Sequence, residues 1–72
     1  NSKLTIETQG NNSVTYNLIT SYSYDGLLSL LFPGAKQVYV NNKLWKILQT
    51  TVGKEYINVQ PINGTIKIEV KY

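Results

Sequence analysis

The sequence predicts a mainly β domain: a small antiparallel sheet or partly open barrel made from three hairpins with one short helix, in the order ββ-α-ββ-ββ. Three observations carry this prediction. Segments rich in Ile, Val, Thr and Tyr alternate apolar with polar residues, as strands with one buried face do. Asn- and Gly-rich tips interrupt these segments where hairpins would turn. One run, Leu27 to Phe32, breaks the alternation and ends at Pro33-Gly34.

The first hairpin is KLTIETQGNNSVTYNLIT. A three-residue loop at Gly10 to Asn12 pairs Leu4 with Leu18, Ile6 with Tyr16 and Thr8 with Val14. The opposite face carries Thr5, Glu7, Thr15, Asn17 and Ile19. In SYSYDGLLSLLFPG, Ser23 or Asp25 can cap a helix, and Pro33-Gly34 stops it. That helix has about two turns and no polar face apart from Ser29, so it should be buried over a sheet face or in a barrel mouth.

The middle hairpin is QVYVNNKLWKIL. A turn at Asn41-Asn42 puts Val38, Val40, Trp45 and Ile47 on one face, which assigns Trp45 to the core. Gln37, Tyr39, Leu44, Lys46 and Leu48 take the other face, which is only half polar. TTVGK links this hairpin to the next, with Gly53 turning the chain.

The last hairpin is YINVQPINGTIKIEVK. A type I′ turn at Asn63-Gly64 makes Ile57, Val59, Pro61, Ile66, Ile68 and Val70 one face. Tyr56, Asn58, Gln60, Lys67, Glu69 and Lys71 make the other. Pro61 has no N–H to give a ladder, so its strand should be an edge or Pro61 should sit at a non-bonded position.

Composition narrows the function. A chain of 72 residues forms a single small domain, residues 1–72. Such a chain hides only about 60% of its unfolded surface. Small domains usually add a staple, yet there is no Cys for disulfides and no His for metal or general-base chemistry. The four carboxylates, Glu7, Asp25, Glu55 and Glu69, fall in different elements. No cofactor, metal site or enzymatic activity is expected. Leu27 to Phe32 is the longest apolar run, interrupted by Ser29 and far short of the ~20 residues of a membrane span. The chain opens on Asn1, which fits a removed leader or an excised domain.

Two binding chemistries remain. Charged residues make up 15% of the chain, against about 25% in typical domains. With no staple and a half-apolar outer face on the middle hairpin, the sequence points to self-association through β-edges and through Tyr39, Leu44 and Leu48. The expected role is a structural subunit of a virion, phage particle or extracellular filament, with further copies of itself as partner. The alternative is a basic β-barrel that binds single-stranded nucleic acid, stacking bases on exposed aromatics beside lysines. Its residues would be Tyr39, Lys46, Tyr56, Lys67 and Lys71, with Glu69 weakening the patch. A third reading is an adaptor or inhibitor that binds a host protein. The patterns Asn11-Asn12-Ser13 and Asn63-Gly64-Thr65 offer N-glycosylation acceptors at Asn11 and Asn63, in keeping with an outside-facing protein.

Overall fold

The computed structural model describes residues 2–23 and 25–72. Among these residues eight strands follow: β1 (Ser2–Gln9), β2 (Ser13–Thr20), β3 (Leu28–Leu31), β4 (Gln37–Val40), β5 (Lys43–Trp45), β6 (Leu48–Gln49), β7 (Glu55–Val59) and β8 (Gly64–Lys71). They form two antiparallel sheets, a five-stranded one in the order β1-β2-β8-β4-β5 and a three-stranded one in the order β3-β7-β6. The fold is mainly β, as the alternation predicted, and it is open rather than a closed barrel.

One core lies between the sheets. The wide sheet contributes Leu18, Val38, Val40, Ile66, Ile68 and Val70, and the narrow one Ile57 and Val59. Phe32 joins them and packs against Tyr16 in a tilted pair with ring centroids 5.1 Å apart. Tyr16 Oη lies 3.3 Å from Tyr72 Oη. Burial, then this hydrogen bond, pushes the Tyr72 phenol up to about 12. Thr20 is the buried polar residue of the wide sheet, and its hydroxyl meets Ser2 Oγ at 3.1 Å.

The first two hairpins hold much of their expected register. Leu4 faces Leu18 and Ile6 faces Tyr16 around the Gly10 to Asn12 loop. A β-bulge at Glu7 then shifts the pairing, so Thr8 faces Thr15 and Gln9 faces Val14, in place of the expected Thr8–Val14 pair. At the β4–β5 turn, Asn41 and Asn42 have φ of 49° and 68°, the left-handed pair a type I′ turn needs. Val38 faces Trp45 and Tyr39 faces Leu44. Asn41 also clamps the turn to β8: its N–H donates to the Lys67 carbonyl at 2.8 Å, and its Oδ1 accepts from the Lys67 N–H at 3.0 Å.

Three expectations are corrected. No helix occurs among the described residues. Leu28–Leu31 is instead strand β3, paired with β7 so that Leu30 faces Ile57. A helix of two turns is marginal on its own, whereas an extended run gains a ladder on β7 and turns Leu28 and Leu30 toward the core. Pro33-Gly34, the expected helix stop, turns the chain at the end of the strand instead: Ala35 N–H donates to the Phe32 carbonyl, and Gly34 takes φ 86°.

The last hairpin does not form. The side-chain alternation is right, since Ile57, Val59, Pro61, Ile66, Ile68 and Val70 are all buried. The pairing differs: β7 belongs to the narrow sheet and β8 to the wide one. Both edges of β8 are taken, by β2 and by β4. Pro61 cannot extend a ladder and sits buried in the corner between the sheets. Asn63 is outside the left-handed region, and its N–H donates to Ser23 Oγ at 2.8 Å.

The third correction concerns TTVGK. It is the tip of a β6–β7 hairpin, with Gln49 facing Glu55 and the Thr50 N–H donating to the Lys54 carbonyl. The middle hairpin accordingly stops at Trp45, whose indole N–H reaches the Asn58 carbonyl of the other sheet at 2.8 Å. Lys46 and Ile47 carry the chain across.

The core assignment is testable by paired substitutions on β8. Ile68→Ala should cost about 2–5 kcal/mol through lost transfer energy and a residual cavity. Lys67→Ala, on the exposed side, should change stability by no more than about 0.5 kcal/mol. Urea unfolding measures both, and equal losses would contradict the assignment.

Candidate functional site

The five-to-three mismatch leaves the wide sheet overhanging. On β2, inward-pointing Leu18 is buried. One strand further out, on the same side, Leu4 is 39% exposed and Ile6 57% exposed. The narrow sheet does not reach them. Among the described residues no strand follows beyond β1 in the wide sheet, so its outer N–H and C=O groups face away from the ladder.

The other edges differ from this one. β6 has two residues, β5 three and β3 four, while β1 has eight. β5 is bracketed by exposed Lys43 and Lys46, a usual defence against edge pairing. β1 is thus the longest open edge among the described residues, and the one with uncovered apolar side chains on its core-facing side.

The expected self-association residues are divided by the fold. Tyr39 and Leu44 are cross-strand neighbours on the outer face of the wide sheet, Tyr39 half-buried and Leu44 66% exposed. Leu48 lies on β6, opposite Tyr56, which in turn faces Leu31 across β3. Leu31, Tyr56 and Leu48 therefore form a separate apolar row on the outer face of the narrow sheet.

The expected nucleic-acid residues are divided as well. Tyr39, Lys67 and Lys71 share the outer face of the wide sheet, where the Lys71 ammonium sits 5.5 Å from the Tyr39 ring centroid. Glu69 is the β8 residue directly opposite Tyr39. Tyr56 is on the other sheet, and Lys46 is in the connection between them. Of the two glycosylation acceptors, Asn11 is exposed in the β1–β2 loop and Asn63 is exposed in the sheet-to-sheet corner.

A cleft of about 460 Å³ opens at the β5 side of the core, walled by Leu27, Trp45, Val59, Ile62 and Ile66. Its amide groups are partly committed within the fold. Asn41 Oδ1 accepts from Lys67, and Asn58 Oδ1 accepts from Ser29 Oγ at 2.7 Å. No group of three acidic side chains that could hold a metal comes together among the described residues. No helix there is long and apolar enough to cross a membrane.

Glu55 has a structural task. Its Oε1 accepts from the Gly34 N–H at 2.6 Å and its Oε2 from Gln49 Nε2 at 3.1 Å. These bonds, the Gly34 one foremost, hold its carboxyl below the usual range. The carboxylate ties the turn after β3 to the start of β7.

No protein-family model matches the chain, and no curated protein and no solved structure matches it. The sequence places Leu4 and Ile6 on one face of the first hairpin, opposite Leu18 and Tyr16, but does not show that this face is uncovered at β1. Their alternation is the same whether or not a second sheet reaches over them, and only the width of that sheet decides.

The Glu55 contact yields a pH test. A lowered folded-state pKa stabilises the fold above the ordinary Glu value of about 4.3, and that stabilisation is lost as pH falls through the folded-state value. Glu55→Gln keeps an acceptor oxygen but removes the charge. The variant should be less stable than wild type at neutral pH, with the gap narrowing in acid. A gap in urea unfolding that is constant from neutral pH into acid would contradict the role of the charge.

Proposed function

We propose that this chain is a non-enzymatic assembly subunit that joins a second copy of itself by β-strand addition at β1. One observation supports this above the others: an eight-residue edge strand whose core-side Leu4 and Ile6 are uncovered. Open edges and exposed apolar patches are costs that association removes. A domain of this size, with no Cys for a disulfide, has little stability to spare. Strand addition supplies main-chain hydrogen bonds and covers alternate side chains in one step. A particle or filament built from repeated copies is the setting that suits such a subunit, and its low charge content accords with surfaces that meet other surfaces.

Sedimentation velocity across micromolar concentrations tests the proposal. Wild type should show a concentration-dependent shift toward a dimer or larger species. Ile6→Lys should abolish it without unfolding the monomer, because that side chain is already more than half exposed. Leu44→Lys, on the short edge β5, should leave it intact. A wild-type chain that stays monomeric, or association lost through Leu44→Lys and kept through Ile6→Lys, would overturn the proposal.

A further inference from the structure

We infer that two β1 strands meet antiparallel about a two-fold axis through Thr5, in a register fixed by Lys3 and Glu7 of each copy. This inference rests on the edge-pairing proposal and adds to it the geometry of the interface.

Residues that face each other across a ladder point to the same side of the sheet. Leu4 and Ile6 lie on the inward side of β1; Lys3 and Thr5 alternate with them on the outward side, and Glu7 follows at the bulge. For a second copy to extend the sheet with its inward face on the same side, inward residues must meet inward ones. That leaves registers that differ by steps of two residues.

Centring the axis on Leu4 puts Lys3 opposite the second copy's Thr5 and leaves Ile6 facing Ser2. Centring it on Ile6 puts Glu7 opposite Thr5 and leaves Leu4 facing Thr8. Centring it on Thr5 sets Lys3 opposite Glu7 and Leu4 opposite Ile6, each twice by symmetry. Only this register pairs both charges and both exposed apolar side chains. Opposite charges directly across a ladder are favourable and like charges are not.

The bulge marks one end of this register. Glu7 has no partner on β2, and the pairing resumes one step out of phase at Thr8. A bulge bends the strand and ends regular pairing. The regular part of β1 therefore runs from Ser2 to Ile6, and Glu7, at the bulge, is the last residue that the Thr5-centred register uses. Neither Lys3 nor Glu7 has an ion-pair partner among the described residues, so both are free for this contact. A two-fold contact of this kind is self-complementary and closes on two copies, so a larger particle would be built from such dimers through a further contact. It places Leu4 and Ile6 of both copies side by side on one underside.

Charge reversal tests the register. Sedimentation equilibrium at low ionic strength should show that Lys3→Glu and Glu7→Lys each raise the dimer dissociation constant by roughly tenfold. The double variant Lys3→Glu/Glu7→Lys should return to within about threefold of wild type, since it restores opposite charges. An equimolar mixture of the two single variants should associate more tightly than either alone. Salt should shrink these differences. Net charge alone gives a different pattern: Lys3→Glu lowers the +3 of the chain by two and would then strengthen association. A wild-type dimer whose single variants are unaffected, or whose double variant fails to recover, would overturn the register and leave edge pairing standing. A monomeric wild type would overturn both.

Discussion

β8 is hydrogen-bonded on both sides, to β2 and to β4, and its inward Ile66, Ile68 and Val70 share the core with Ile57 and Val59 of the narrow sheet. This double pairing constrains the rest of the chain. With both edges of β8 occupied, β7 cannot pair with it, although only Gln60 to Asn63 separate them in sequence. β7 must seed a second sheet, and β3 and β6 pair with it there. The corner holds because Pro61 is buried without needing an N–H partner, and because Asn63 finds one in Ser23. Burial of each large aliphatic side chain contributes about 1.5–3 kcal/mol, so Ile68 and Val70 on β8, Ile57 on β7, and Leu18 and Val38 beside them, all fully buried, contribute most to the core.

The same arrangement produces the uncovered edge. A long strand pair, β1–β2, extends the wide sheet on one side, while among the described residues the narrow sheet has only β3 and β6 beside β7. Leu18 on β2 lies within cover, and its cross-strand neighbour Leu4 does not. Width mismatch, rather than any special residue, leaves β1 with apolar side chains facing solvent. Its other side chains are compatible with a partner: Thr5 is small and β-branched, and Lys3 and Glu7 have opposite charges.

Much of this fold was legible in the sequence, and the illegible part has a common cause. Local signals were reliable. Asn41-Asn42 adopted the left-handed turn that its residues favour, Gly10 to Asn12 closed the first hairpin, and the alternation along 56–71 sorted buried from exposed side chains correctly. Alternation, however, states which face is dry and not which strand lies alongside. Val59 and Ile68 could be neighbours in one sheet or meet across a core, and the pattern is the same. The run Leu27 to Phe32 was ambiguous for a related reason: a short apolar segment has no periodicity that separates a buried helix from a strand. The candidate site was the least legible part. Tyr39, Leu44 and Leu48 share one face only if the middle hairpin continues past Trp45. The indole bond to Asn58 marks where the chain leaves that sheet.

Amide hydrogen exchange along β1, compared at concentrations well above and well below the association midpoint, tests edge pairing most directly. Strand addition requires the amides of residues 3–7 that point away from β2 to gain protection as concentration rises, because they acquire carbonyl partners on the second copy. The amides of β5, at the opposite edge, should exchange equally at both concentrations. Exchange along β1 that is independent of concentration, in a sample that sediments as an oligomer, would contradict edge pairing and place the contact on another face.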